Sequence, residues 1–213
     1  MNYTQHMKKV MNLHQIIALG GMIGPIIYTS IWILGGILQP DYSHIRDDVS
    51  SLMAVGAPNK KLYDIMQLTN IFLVIIFFSN LHYSIDGGQG SIIGPACFVL
   101  TNLINIPVVL FYPLDEGGEM ISPTAKMHFK LVMIMAVFGA AGMLAFWNRL
   151  SNTPGWTWYG TYSLITFIIT AVTGVIASKT AGTEIMGLTE RLVVTANVQY
   201  IFVLALNVYT SSA

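Results

Sequence analysis

Nowhere else in the sequence do so many ionisable residues lie between two long apolar runs as at residues 41–58, DYSHIRDDVSSLMAVGAP. At 100° per residue, His44, Asp48 and Ser51 fall on one flank of a helix. These are the residue types of a Ser-His-Asp triad, but a triad needs the histidine between the acid and the serine. In this stretch the acid lies between the other two, so we do not expect serine-type nucleophilic catalysis.

A second group of ionisable residues lies at the ends of apolar runs. Asp115 follows one run, His128 lies in the first turn of the next, and Glu190 and Arg191 begin the last. All of them lie near one surface of the bilayer, where a helix bundle can bring them beneath residues 41–58. We therefore expect Asp115, His128 and Arg191 to share one polar cluster. Such groups suit acid-base catalysis or recognition of a lipid headgroup.

The candidate site residues come from both groups. Asp115 and His128 are the candidate catalytic acid-base residues, although buried arginine and carboxylate groups can equally hold loops in place. A metal site is not expected, because the sequence has no HxxxH, HExxH or CxxC spacing. A cofactor is not expected either, since no phosphate-cradling or dinucleotide-binding glycine motif is present. The candidate ligand-binding residues are Asp48, Ser50, Asp115, His128, Glu190 and Arg191.

The composition indicates a membrane protein. Hydrophobic residues make up 54% of the chain, charged residues 9%, and the mean hydropathy is +0.63, whereas roughly a quarter of the residues of a soluble domain are charged. The formal net charge is +0, so there is no basic surface of the kind that attracts nucleic acid. We expect a multi-pass protein of the cell membrane that binds no nucleic acid.

Six apolar runs are each long enough to cross a bilayer as a helix. The predicted fold class is therefore an all-α membrane protein, with six transmembrane helices in one bundle that forms a single domain over residues 1–213. A short amphipathic interfacial helix is predicted for loop 1, residues 41–58, because the stretch has capping residues at its start and a Gly-Pro stop at its end. The runs are Ile16–Leu38, Leu62–Tyr83, Ser91–Pro113, Met127–Trp147, Trp158–Ser178 and Glu190–Tyr209.

Polar amides occur inside two of these runs. Gln67 and Asn70 share a stripe of the second run, and Asn102 and Asn105 share a face of the third. Amides at membrane depth usually hold helices together, with a contribution of about 1 kcal/mol each. We favour that interpretation over ligand binding.

The fifth run carries small residues at every fourth position. Thr166, Thr170, Gly174 and Ser178 form a continuous seam of this kind. Small residues gain little from contact with lipid and much from close contact between helix backbones. We therefore predict that the seam faces another helix, within the chain or across a homo-oligomer.

The distribution of Lys and Arg predicts the orientation, because acidic residues count little in setting it. With six spans, loops 1, 3 and 5 lie on one side, and both termini with loops 2 and 4 lie on the other. The excess of basic residues on the first side places loops 1, 3 and 5 in the cytoplasm. The first side has Arg46, Lys60, Lys61, Lys126, Lys130, Lys179 and Arg191, and the second has Lys8, Lys9 and Arg149.

Several short motifs occur together along nearly the whole chain. They are Gly24-Pro25, Asp41-Tyr42-Ser43, Val49-Ser50-Ser51-Leu52, Gly56-Ala57-Pro58, Tyr112-Pro113-Leu114-Asp115, His128, Gly187-Leu188 and Glu190-Arg191. With these motifs the chain resembles the six-span bacterial and archaeal membrane family catalogued as domain of unknown function nine hundred and ninety-eight. That family commonly has an acidic residue where this chain has Ser51, and an FP dipeptide where it has Tyr112-Pro113. The resemblance implies the six-span fold and brings no established activity.

Three hypotheses of function remain from the sequence. The first is a non-enzymatic protein that binds a membrane lipid, another amphipathic ligand or a partner subunit through the polar face of loops 1, 3 and 5. The second is a membrane-embedded hydrolase or transferase that acts on a lipid headgroup with an Asp/His/Arg site. The third is a small-solute transporter, which ranks last because no charged residue lies at mid-membrane depth. A lipid in a cavity fits the first two, whereas a metal or activated water between Asp115 and His128 fits only the enzyme.

Overall fold

The computed structural model describes residues 11–211, and the regular secondary structure in this part of the chain is entirely helical. Each of the six long helices is long and apolar enough, by length and composition, to cross a membrane. The prediction of an all-α fold with six spans is confirmed. The helices are α1 (Leu13–Leu38), α2 (Lys60–Ser84), α3 (Ile93–Phe111), α4 (Pro123–Ser151), α5 (Thr157–Thr180) and α6 (Met186–Ser211).

The six helices close into a ring in chain order. Each helix packs on the next, and α6 packs on α1. Contacts between the ends show that consecutive helices run in opposite directions. The N–H of Val55 donates to the carbonyl of Leu114 at 3.0 Å, which joins loop 1 (39–59) to loop 3 (112–122). These two loops and loop 5 (181–185) form what we call the odd-loop end of the bundle, and loops 2 and 4 lie at the opposite end.

Aromatic side chains fill the half of the bundle that lies away from the odd-loop end. The rings of Phe78 and Phe98 stack with centroids 4.4 Å apart, and Tyr200 stacks on Phe98 at 5.7 Å. Glycine makes room for this packing, because a Cβ atom at Gly142 would lie 2.9 Å from the ring of Phe98. This half has a continuous buried core, so the spaces that a ligand can enter lie in the other half.

Loop 1 does not form the predicted amphipathic helix. Its only helical piece is a 3-10 turn, Ser50–Met53, and the remainder of residues 39–59 is turns and irregular backbone. The reason is that α6 uses the carbonyl groups that a loop helix would need. The carbonyls of Ile45 and Arg46 accept hydrogen bonds from the N–H groups of Leu188 at 2.9 Å and Gly187 at 3.2 Å. The interfacial helix predicted for residues 41–58 is therefore not confirmed.

The small-residue seam of α5 packs closely along only part of its length. Thr166 is buried and Thr170 is half-buried, as predicted for a helix contact. No heavy atom comes within 4 Å of a Cβ atom built at Gly174, and Ser178 is exposed. Close packing within the chain is therefore confirmed at Thr166 and wrong at Gly174, while packing across an oligomer stays a prediction.

Candidate functional site

Arg191 anchors loop 1 to α6. Its side chain is 8% exposed, and one Nη donates to the carbonyls of His44 at 2.8 Å and Asp47 at 2.9 Å. The other Nη donates to the hydroxyl of Tyr42, and the guanidinium lies over the rings of Trp32 and Tyr42, 5.6 and 5.4 Å from their centroids. Over residues 11–211 no ion pair joins Arg191 to a carboxylate. This arginine is committed to the backbone and aromatic rings around loop 1.

Two carboxylates, Asp48 and Glu190, lie beside this anchor. The Glu190 Oε2 accepts from the N–H of Val49 at 2.6 Å, and the Asp48 Oδ1 accepts from the N–H of Ser51 at 3.2 Å. They lie close enough to repel each other electrostatically. Burial raises the pKa of Asp48 to about 6, against the opposing effect of its hydrogen bonds with Ser51. Neither carboxylate has an ion-pair partner within the described part of the chain.

His128 is held in one tautomer near the start of α4. Its Nδ1 lies 2.8 Å from the carbonyl oxygen of Tyr112. A carbonyl oxygen can only accept, so Nδ1 carries the proton and Nε2 of the neutral ring is an acceptor. The helix start is itself fixed, because the Ser122 hydroxyl accepts from the N–H of Ala125 at 3.1 Å. His128 therefore offers one free acceptor at a defined position.

Asp115 closes loop 3 on itself. Its Oδ2 accepts from the N–H groups of Ile121 at 2.9 Å and Ser122 at 2.7 Å. The hydrogen bonds from Ser122 are the main cause of an Asp115 pKa below the usual value. Among the described residues no hydrogen bond or ion pair links Asp115, His128 and Arg191 to one another. The three residues of the expected cluster therefore do not bond to one another: backbone groups of loop 3 hold Asp115 and His128, and backbone groups of loop 1 hold Arg191.

A cavity of about 160 Å³, which we call the central cavity, lies inside the odd-loop half of the bundle. Gln67 on α2 is 4% exposed and lines it; its Oε1 has a long hydrogen bond from Asn70 at 3.4 Å, and its Nε2 has no partner within residues 11–211. Buried polar groups are normally hydrogen-bonded, so these side chains indicate a site for a polar group. The polar residues that line the central cavity are Tyr28, Ser50, Gln67, Asn105, His128 and Glu190.

A second space of about 230 Å³, which we call the lateral groove, lies between α4, α5 and α6. It is lined mainly by apolar and small side chains, and Phe129 and Met133 at its margin are 39% and 45% exposed. The groove therefore reaches the outer surface of the bundle. Asp48 also lines it, and no Lys or Arg in the described part of the chain lines either space. The central cavity and the lateral groove share the lining residues Ser50, Leu114, His128, Val132, Glu190 and Val194.

The structure divides the six predicted ligand-binding residues into two sets. Asp48, Ser50, His128 and Glu190 line the central cavity, the lateral groove or both. Asp115 and Arg191 line neither and make hydrogen bonds that hold loops 3 and 1. No group of three or more His, Cys, Asp or Glu residues in the described chain could hold a metal ion.

Three of the polar residues that line the central cavity are not among the predicted ligand-binding residues. Gln67 and Asn105 were interpreted as helix contacts, and Tyr28 was not singled out, yet all three line the central cavity. The neighbouring amide Asn102 bonds within its own helix, since its Nδ2 donates to the carbonyl of Phe98, four residues earlier in α3, at 2.9 Å. In the sequence, both roles give the same signal, a polar amide at membrane depth. This signal does not distinguish an amide that contacts a helix from an amide that lines a cavity.

The family model described as "Protein of unknown function (DUF998)" matches residues 22–207 of the chain. The match covers every residue that lines the central cavity and the lateral groove. No curated protein and no solved structure matches the chain.

Proposed function

The chain is a multi-pass membrane protein that belongs to the DUF998 family, and we propose that it binds an amphipathic molecule, such as a membrane lipid, in the cell membrane. The supporting observation is the set of lining residues that the two spaces share. It includes the polar residues Ser50, His128 and Glu190 and the apolar residues Leu114 and Val132. The central cavity offers polar groups to a ligand, and the lateral groove offers an apolar surface. A headgroup fits the central cavity and a hydrocarbon chain fits the lateral groove.

The position of the groove explains how such a ligand reaches the site. The groove lies between spanning helices, and its margin includes the exposed apolar side chains Phe129 and Met133. Hydrocarbon chains of the bilayer contact this surface directly, so a ligand enters from within the membrane. Ligand pockets are usually largely apolar with a few placed polar groups, which is the composition of the two spaces together.

An enzymatic role is the second candidate, and one observation favours it. His128 has its Nδ1–H fixed by the carbonyl of Tyr112 and a free Nε2 acceptor, and this is the state that a general base needs. Asp115 and Arg191, the other residues of the predicted Asp/His/Arg site, are committed to loop backbone. The hypothesis of a hydrolase or transferase therefore rests on His128 alone, and binding is the better supported function.

Obstruction of the groove tests the proposal. Gly174 and Ala136 line the groove, so the variants Gly174→Leu and Ala136→Phe place larger side chains in it. At position 174 the added side chain meets no clash, because no atom of the described residues lies within 4 Å of a Cβ atom built there. Protein purified from its membrane in a mild detergent is analysed by native mass spectrometry after addition of a total lipid extract. We expect a lipid adduct on the wild-type protein that both variants lose.

A matched control variant is available on the same helix. Ala141 on α4 is exposed and lines neither space, so Ala141→Phe adds the same bulk elsewhere and should keep the adduct. Thermal stability in detergent shows whether each variant is folded. Equal adducts on the wild-type and both groove variants, or no adduct on a folded wild-type protein, would contradict the proposal.

A further inference from the structure

The charges around the two spaces define the headgroup more closely. We propose, on the basis of the proposed function, that the ligand is an amphiphile whose headgroup is a primary ammonium. Asp48 and Glu190 both line the lateral groove, and Glu190 also lines the central cavity. No Lys or Arg of residues 11–211 lines either space. The charged groups that a cationic headgroup would meet are therefore the two carboxylates.

The nearby guanidinium does not remove this charge. Arg191 is the neighbour of Glu190 in sequence, but its Nη atoms donate to the carbonyls of His44 and Asp47 and to the hydroxyl of Tyr42. When both carboxyl groups are ionised, the single guanidinium balances only one of the two negative charges. Burial of an unpaired charge is costly, and a cationic headgroup between the carboxylates compensates it.

The hydrogen-bonding groups of the central cavity fit the same headgroup. An ammonium group has three N–H donors and no acceptor. Glu190 uses one carboxylate oxygen on the N–H of Val49, which leaves the other oxygen for the ligand. The Nε2 of His128 is a second acceptor, and the hydroxyl of Ser50 has no partner within residues 11–211 and is a third. A phosphate or sulfate headgroup would meet these acceptors with its own oxygens.

An independent observation indicates a polar ligand in this cavity. Gln67 is buried, with 4% of its surface exposed, and its Nε2 lacks a partner among the described residues. Its Oε1 has only the long hydrogen bond from Asn70 at 3.4 Å, so this oxygen can also accept from an ammonium. It lies on α2, on a different helix from Glu190 and His128. Polar groups with free hydrogen-bonding capacity therefore face the cavity from at least three helices. This arrangement is expected of a binding site that surrounds a ligand, whereas a charged patch would lie on one element.

Amphiphiles that have the same hydrocarbon chain and different headgroups test the proposal. Binding of dodecylammonium, dodecanol and dodecyl phosphate to the purified wild-type protein is measured by calorimetry in a non-ionic detergent near neutral pH. We expect dodecylammonium to bind at least about tenfold more tightly than dodecanol, and dodecyl phosphate to bind more weakly than dodecanol. A one-chain ethanolamine phospholipid is included, because its binding identifies a lipid as the source of the ammonium and its failure to bind identifies a free amine.

Two isosteric variants locate the preference. Glu190→Gln keeps an acceptor for the N–H of Val49, and Asp48→Asn keeps one for the N–H of Ser51. Both should lose most of the preference for dodecylammonium over dodecanol, and thermal stability in detergent reports that each variant is folded. The control is Glu119→Gln, since Glu119 is exposed and lines neither space, and it should behave as the wild type.

The outcomes separate the headgroup from the proposed function. Equal affinity of the wild-type protein for dodecylammonium and dodecanol overturns the ammonium proposal and leaves the binding function standing. A preference for dodecyl phosphate, or a preference for ammonium that neither variant reduces, also overturns it. If none of the three amphiphiles binds to the folded protein, the proposed function itself fails.

Discussion

Glu190 and Arg191 are neighbours in sequence and have different roles in the structure. Consecutive residues of a helix point about 100° apart, so Glu190 lines the central cavity and the lateral groove while Arg191 points into loop 1. The guanidinium stabilises the loop, and the carboxylate remains available to a ligand. The loop in turn supplies Asp48 and Ser50 to the site, so the arginine acts on ligand binding only through the position of loop 1.

The first prediction concerns the pH dependence of stability at Asp48. The pKa of this buried carboxyl is raised from 3.8 to about 6 in the folded protein, so the folded state keeps a proton that the unfolded state releases. Stability from this residue is full below about pH 4 and is lost as pH rises through about 6. Asp48→Asn cannot ionise and should show no such loss. Its thermal unfolding temperature relative to the wild type should therefore rise between about pH 4 and pH 7.

The measurement is thermal unfolding in detergent across this pH range, with the exposed Glu119→Gln variant as the control. The control should follow the wild-type curve at every pH. A constant difference between Asp48→Asn and the wild type from acid to neutral pH would show that Asp48 ionises without a cost in the folded protein.

Four of the six candidate ligand-binding residues line the central cavity or the lateral groove, and there is a physical reason why Asp115 and Arg191 do not. Ionisable residues at the starts of spans are costly in a bilayer unless they are paired or solvated, so all six were reasonable candidates. Asp115 and Arg191 instead bond to backbone groups of loops. Their partners depend on the conformation of loops 1 and 3, which residue type and spacing do not determine.

At the level of the elements, the bundle uses one arginine at each end to hold a loop. Arg149 on α4 is 7% exposed, and its Nη atoms donate to the carbonyls of Ser91 at 2.8 Å, His82 at 3.2 Å and Ile85 at 3.1 Å. Arg191 does the same for loop 1 at the odd-loop end. Both arginines donate several hydrogen bonds to backbone carbonyls of the loop that they hold and of the helix end beside it.

The second prediction concerns Arg149 and Arg191, which hold loops at opposite ends of the bundle. A lysine has one nitrogen where the planar guanidinium has several donors, and each buried carbonyl left without a donor costs roughly 1–3 kcal/mol. Arg191→Lys should increase amide hydrogen exchange in residues 41–52 and leave loop 2 unchanged. Arg149→Lys should increase exchange in residues 85–91 and leave loop 1 unchanged.

Each of these variants is the control for the other. Hydrogen exchange measured by mass spectrometry on the detergent-purified protein separates the local effect from general destabilisation. An equal increase at both loops in either variant would mean that the arginine supports the whole bundle and does not anchor one loop.

The elements differ in how far sequence determines them. Six spans follow from the length and apolarity of the runs, because a bilayer leaves few alternatives to a helix. The conformation of loop 1 does not follow from its sequence. Val49 and Leu52 have helical spacing and are buried, but the backbone of the loop pairs with the start of α6. The environment of Gly174 does not follow from its sequence either, because small residues occur both where helices pack closely and where a groove is open.

Over the whole molecule, the bundle has a packed half and an open half. The aromatic core fills the half away from the odd-loop end, and both spaces lie in the half near it. Most of the ionisable residues of the chain also lie at the odd-loop end or beside it. The orientation of the protein in the membrane therefore decides which side of the membrane the site faces.

The third prediction is this orientation. The excess of Lys and Arg at the odd-loop end predicts that loops 1, 3 and 5 are cytoplasmic; Lys8 and Lys9, which argue for the reverse, lie outside the described residues. Ser122 caps α4, so the exposed Glu119 is the better labelling position in loop 3. In a Cys97→Ala background, Glu119→Cys should resist an impermeant thiol reagent on intact cells.

Asn152 in loop 4 is exposed at the opposite end, so Asn152→Cys in the same background is the matched control and should be labelled. Labelling of Glu119→Cys together with protection of Asn152→Cys would show that the orientation is inverted and that the site faces the outside.

The most direct test of the central claim is to locate a bound amphiphile on the chain. A single-chain amphiphile with a photoreactive diazirine at the end of its chain is irradiated with the purified protein, and labelled peptides are identified by mass spectrometry. The binding model predicts labels within 129–136 on α4, within 174–181 at the end of α5 and the start of loop 5, and within 186–194 on α6, the segments that line the lateral groove. Excess unlabelled amphiphile and the Gly174→Leu variant should remove these labels. Labels spread evenly over the lipid-facing surfaces of all six helices, unaffected by competitor or variant, would contradict the account.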